Sequence, residues 1–187
     1  MSNGLEKAAE NAYINYLADV EGVRTNAYDS LEGGNQTIGI GHKLTDQEVA
    51  TGKILIGGQA VDYSKGLSME NVRTLKMQDL QQHKQITSNR INNKYGKGAF
   101  EKLPAKSKYF LTDYQLNIGN VMKFPKMVDA VVKGDWESVN KQYKRFYKNT
   151  KGETVEMTRR NRKIYERYIE PELMLNQMKK ADNPLGY

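Results

Sequence analysis

Residues 21–42 read EGVRTNAYDSLEGGNQTIGIGH, and two carboxylates, Glu21 and Asp29, stand at the front of the stretch. A Gly-rich loop from Glu32 to Gln36 follows, then the run Thr37-Ile38-Gly39-Ile40-Gly41, closing on His42. Two carboxyl groups in unlike surroundings suit the hydrolysis of a glycosidic bond, which needs one protonated and one ionised carboxyl. Glu21 is the candidate acid, because apolar neighbours such as Val20 and Val23 favour a protonated carboxyl by desolvation. Asp29, in a wetter turn with backbone donors nearby, suits the ionised partner. Thr37 offers a hydroxyl that can orient water. His42 has no task in a two-carboxylate scheme and reads as a structural residue paired with an acid.

These groups need elements to hold them. Leu5, Ala8, Ala9, Ala12, Tyr13, Tyr16, Leu17 and Val20 recur at helical spacing and predict a first helix over about residues 5–20. Gly22 brings it to an end and leaves Glu21 at the terminus. Tyr28 to Leu44 carries strand and turn signals. Residues 45–66 are mixed: Asp46 to Ala50 can start a helix, and Ile54-Leu55-Ile56 reads as a short strand or buried turn. A clear helix starts at Ser68, a good N-cap, with no Pro or Gly before Gly96. Its length suits a rod joining two lobes. Further helices are expected over Ala105 to Ile118, Lys126 to Lys133, Trp136 to Tyr147 and Met157 to Met178, with Pro171 marking a kink or a new first turn. Tyr28 and Trp136 read as core aromatics rather than sugar platforms. Residues 179–187 look like a loose tail.

At 187 residues, 38% hydrophobic and 27% charged, the chain has the makings of one globular domain. The formal charge of +7 suits an anionic partner: nucleic acid, a membrane surface or an acidic wall polymer. With no cysteine, disulfides and thiolate chemistry are excluded. No signal peptide and no membrane-length apolar run is visible. Synthesis in the cytosol is therefore expected, with no stable membrane insertion.

The opening stretch resembles the phage-type lysozymes, the glycoside hydrolase family 24 muramidases, an endolysin-like family. The matching residues are Glu21-Gly22, Tyr28, Asp29 and Thr37-Ile38-Gly39-Ile40-Gly41-His42. Weaker likeness continues at Gly66-Leu67-Ser68-Met69-Glu70, Gln78-Asp79, Leu116-Asn117-Ile118-Gly119, Phe124, Gly134-Asp135-Trp136 and Arg159-Arg160-Asn161-Arg162. Against the family spacing there is one residue fewer before Asp29 and two more in the loop from Ser30 to Gln36. Ser30 thus occupies the strict spacing, and Glu32 is the competing second acid.

The resemblance implies an α+β, mainly α fold, with a small antiparallel-sheet lobe over about residues 21–66. A linking helix would cover about 67–92 and a larger helical lobe about 93–178, with helix 5–20 packing on the latter and a cleft between the lobes. It implies hydrolysis of peptidoglycan between N-acetylmuramic acid and N-acetylglucosamine with inversion, Glu21 being the acid and Asp29 and Thr37 holding the attacking water. Asn117, Arg159 and Arg160 become candidate substrate contacts, although the arginines also suit a solvated face. A His42–Asp79 ion pair is expected to tie sheet to linking helix. No cofactor or metal is needed. A monomer is expected to reach the wall through a holin-made hole or inside a phage particle. The rival readings are a non-catalytic peptidoglycan-binding or structural particle protein on the same fold, and a nucleic-acid binder, which lacks a recognised module.

Overall fold

Helix α1 (Ser2–Glu21) ends where Gly22 turns left-handed, φ 80°, and donates its N–H to Ala18 O at 2.9 Å. The computed structural model in which this is seen describes residues 2–29, 36–149 and 151–182. Beyond Gly22 the chain enters β1 (Arg24–Asp29), which pairs antiparallel with β2 (Gln36–Gly39), itself paired with β3 (His42–Lys43). Arg24 pairs with Gly39 and Tyr28 with Thr37, so residues 25–27 of β1 face Ile38 alone. That bulge bends the strand and re-aims its side chains.

Next comes α2 (Asp46–Thr51), closed at its start by a capping box between Thr45 and Glu48. The strand expected around Ile54 is β4 (Lys53–Ile56), and it has a partner, β5 (Gln59–Asp62). The polar ends of β5 hid it in the sequence. Ser68 caps α3 (Met69–Tyr95) by accepting the Asn71 N–H at 3.1 Å.

The chain divides inside α3 into two compact units, Met1–His83 and Lys84–Tyr187. In the first unit the front half of α3 is the anchoring element. Arg73 donates to Asn15 of α1 at 3.0 Å, and Gln78 donates to Leu55 O and accepts from Gly57 N at the β4–β5 hairpin. Tyr13, Leu17, Ile38, Ile54, Val72 and Leu80 are among its buried apolar residues.

The second unit centres on α4 (Ala105–Ile118), in which Ser107 and every residue from Tyr109 to Gln115 are buried. A short 3₁₀ turn over Val121–Lys123 leads to α5 (Pro125–Lys133) and α6 (Trp136–Asn140). The Phe110 ring meets Tyr114, Trp136 and Tyr168 with centroids 5.0–5.7 Å apart. Trp136 is thus a core residue.

Two expectations for this unit need correction. The helix expected to Tyr147 stops at Asn140, and Phe146 to Lys148 form β6, paired with β7 (Thr154–Glu156). The side chain of Asn161 binds both backbone groups of Arg145, accepting its N–H and donating to its carbonyl, which holds the chain out of a helix. The last helical region is also interrupted. It runs as α7 (Thr158–Ile164), a π turn over Tyr165–Ile169 and α8 (Glu170–Asp182). Pro171 lacks an N–H and its ring crowds the carbonyl four residues back, and the wider turn just ahead absorbs both defects. The expected tail begins within α8, and residues 183–187 lie outside those described.

Asp113 and Arg145 form a buried ion pair, 1% and 4% exposed, joined at 2.5 Å. The guanidinium lies 3.9 Å from the Tyr114 ring centroid, a cation–π contact that covers its face. Removing one partner strands the other charge. Asp113→Ala is therefore expected to lower stability by about 3–5 kcal/mol, and Asp113→Leu combined with Arg145→Met by less. Urea unfolding at neutral pH measures both; equal losses would mean that the pair carries no such penalty.

Candidate functional site

Glu21 is the last residue of α1, half-buried, and the left-handed turn at Gly22 fixes where its side chain leaves the helix. Its carboxylate lies against Gly41, in the turn between β2 and β3. A Cβ added at Gly41 would stand 2.2 Å from Glu21 Oε2, and Gly41 has φ 72°. Only glycine suits both the turn and the carboxylate seated on it. Val23 is 39% exposed, so it gives the acid less cover than its sequence position suggests.

Thr37 sits mid-sheet on β2, 4% exposed, and its Oγ1 is buried with no hydrogen-bond partner among the described residues. Buried hydroxyls are nearly always bonded, to protein or to ordered water. Across the sheet its neighbours are Tyr28 on β1 and Lys43 on β3. Asp29 pairs instead with Gln36, and both are exposed. Strand residues alternate between faces, so Asp29 and Thr37 project to opposite sides of the sheet. The fold brings Glu21 to the β2–β3 turn but does not set Asp29 beside Thr37. The competing acid Glu32 and the spacing position Ser30 lie outside the described residues.

His42 Nδ1 donates to Asp79 on α3, with 3.0 and 3.1 Å to the two carboxylate oxygens. Its Nε2 lies 3.4 Å from Glu48 Oε2, and that carboxylate also accepts from the Thr45 N–H and hydroxyl. Burial pulls the His42 pKa down, but the Asp79 hydrogen bond and charge, with Glu48 adding to them, leave it above 6.5. His42 thus links β3, the cap of α2 and helix α3. Gly41, read in the sequence only as part of its run, and Glu48, which sequence reasoning passed over, complete this corner. The capping-box spacing from Thr45 to Glu48 was the available signal for the second.

In the second unit Asn117 spends its amide on its own helix, donating to Asp113 O at 2.6 Å. Gln115 does more at this helix end. It donates to Gly119 O and accepts from Arg90 and from the Val121 N–H. Arg159 and Arg160 stand in the first turn of α7, the former exposed and the latter half-buried, while Arg162 makes a loose surface pair with Glu166 at 3.7 Å. Arg145, Asp113 and Asn161 were not singled out in the sequence. An aspartate inside the apolar run Tyr109-Phe110-Leu111-Thr112-Asp113-Tyr114 was the visible sign of a buried partner.

Among the described residues no group of three or more His, Cys, Asp or Glu could hold a metal ion, and no helix is long and apolar enough to cross a membrane. The phage lysozyme family matches residues 18–164 of the chain. No curated protein matches it.

The His42 corner gives a pH-dependent stability. Because the folded pKa is raised, the contribution of protonated His42 is full below about pH 6.5 and is lost as pH rises through the folded value. Asp79→Asn is expected to cost about 1–3 kcal/mol at pH 5.5 and clearly less at pH 9. Urea melts of parent and variant at both pH values measure this. A difference that does not shrink with pH would mean that charge on His42 plays no part.

Proposed function

We propose that this chain, which belongs to the phage lysozyme family and so is a lysozyme-type glycoside hydrolase of peptidoglycan, is a muramidase. It cuts the bond between N-acetylmuramic acid and N-acetylglucosamine, serving a phage in host lysis or wall penetration. The observation that carries the reading is the seating of Glu21 at a helix end, its carboxylate held over Gly41. Such a fixed acid can give its proton to the glycosidic oxygen as the bond to the leaving sugar breaks. A water then attacks the anomeric carbon. Thr37 supports this step, since a buried hydroxyl without a partner is a natural anchor for an ordered water.

Asp29 is the carboxylate in this reading that takes up the proton of the attacking water. Its exposure and its strand face make it the weaker member of the pair. In the second unit Asn117, Arg159 and Arg160 serve as substrate contacts, the arginines through the peptide carboxylates of peptidoglycan. His42 and Asp79 position the turn that holds Gly41 and take no part in proton transfer.

Glu21→Gln is expected to lower clearing of a peptidoglycan suspension by about a hundredfold or more, the usual weight of a general acid. Asp29→Asn is expected to cost roughly tenfold, well short of that, given its strand face. Mass spectrometry of the digest should find muramic acid at the reducing end. A glucosamine end or an anhydro product would name a different enzyme, and full clearing by Glu21→Gln would remove Glu21 from the mechanism.

Gly41→Ala offers a separate check on the seating of the acid. The added methyl displaces the Glu21 carboxylate, so activity should fall nearly as far as in Glu21→Gln. Stability should fall by only about 1 kcal/mol from the left-handed backbone. An active Gly41→Ala enzyme would show that the acid works from another position.

A further inference from the structure

A cavity of about 590 Å³ lies wholly within the second unit, in the size range of ligand pockets, about 300–1,000 Å³. Three chain segments line it: the end of α3 with the turn after it, the start of α4, and the end of α5 with Trp136. Among the described residues each cationic side chain on its wall is a lysine, Lys97, Lys102 and Lys133, and no acid lines it. None of the three forms an ion pair among the described residues.

The nearest acids in sequence are engaged elsewhere. Glu101 accepts from Ser88 and Asn92. Asp129 accepts from Lys94 and from the Tyr95 hydroxyl, and Asp135 caps α6 through the Ser138 N–H. Asp129 also feels the charge of Lys133, so the field of the cavity is partly compensated there and stays net positive through Lys97 and Lys102. Its wall also holds the half-buried ring of Tyr95, an apolar surface of the kind that sugar rings pack on, and the small exposed part of the core residue Trp136. Lysines are compact point charges, free of the planar fork by which arginine matches a carboxylate. Lys97 and Lys102 come from the connection after α3 and Lys133 from the end of α5, so they suit a tetrahedral oxyanion approached from two segments.

We propose that this cavity binds a phosphate-bearing saccharide, as occurs in anionic wall polymers, with Lys97, Lys102 and Lys133 holding the phosphate and the ring lying toward Trp136. None of the residues assigned to hydrolysis or to substrate contact lines the cavity, so this is a second binding site, and it stands or falls apart from the muramidase reading. It would hold the enzyme on a polymer other than the glycan that it cuts.

Trp136 is the chain's single tryptophan, which makes the intrinsic fluorescence of the whole protein a local probe. N-acetylglucosamine 1-phosphate, added at low ionic strength, should change that fluorescence saturably. N-acetylglucosamine and inorganic phosphate should each bind at least about tenfold more weakly. Changing Lys97, Lys102 and Lys133 together to Gln should weaken binding of the sugar phosphate about tenfold or more. A control removing the same charge at Lys141, Lys148 and Lys151 should leave it nearly unchanged. Circular dichroism confirms that both variants are folded; Lys97→Gln alone, expected to weaken binding severalfold, serves if the triple variant is not.

Absence of saturation, or equal loss in the control, overturns the site. Inorganic phosphate binding as tightly as the sugar phosphate overturns the saccharide part, and N-acetylglucosamine doing so overturns the role of the lysines. Displacement by a single-stranded oligonucleotide at equal phosphate concentration would make the cavity a general polyanion surface and overturn the proposal.

Discussion

The hydrogen bond from His42 to Asp79 is the constraint on which the first unit depends. A two-residue strand such as β3 has almost no ladder of its own, so a side chain must fix its place. The imidazole does so by meeting Asp79 on α3 at one nitrogen and approaching Glu48 with the other. Glu48 is at the same time the carboxylate of the α2 capping box. One ring therefore sets three elements. Gly41 directly precedes His42, and Glu21 rests against Gly41. The position of the candidate acid thus traces back to the ion pair of His42 with Asp79.

The second unit uses the same device with different residues. Asp113 lies in the buried middle of α4, and its charge is met by Arg145, whose other side is covered by the Tyr114 ring. Burial pushes the Tyr114 hydroxyl up to about 12, and it donates to Tyr143 O. Asn161 then holds the Arg145 backbone from α7. Arg159 and Arg160 immediately precede Asn161, so this buried network fixes where the basic start of α7 is presented. Here too the exposed, functional-looking residues depend on quiet neighbours.

Long periodic elements were legible in the sequence, because helix spacing and capping are local. Ser68, Gly22 and Gly119 mark ends that the folded chain keeps, and α4 covers the expected span. Hairpins were harder to read. The β6 and β7 strands are each only three residues long, and the helical signal of Trp136 to Asn140 ran on into the first. What decides there is a bond from Asn161, sixteen positions away from Arg145, and no local pattern carries it. Glu21, Thr37 and His42 were readable as a motif. Gly41 was readable only as part of a run, since the carboxylate that excludes its side chain comes from another element.

Asp29 shows where counting residues stops being informative. The spacing to Glu21 and Thr37 suggests a deletion on one side and an insertion on the other. In the fold, residues 25–27 of β1 bulge opposite Ile38, so the number of residues and the path length are no longer proportional. What matters for a side chain on a strand is parity. A shift of one position sends it to the other face. Tyr28 shares the face of Thr37, so its neighbour Asp29 cannot do so while this pairing holds. A carboxylate reaching the hydroxyl of Thr37 must then act from the strand end or come from the loop beyond it. Either way, Glu21 is the one candidate whose place follows from helix end, turn and packing together.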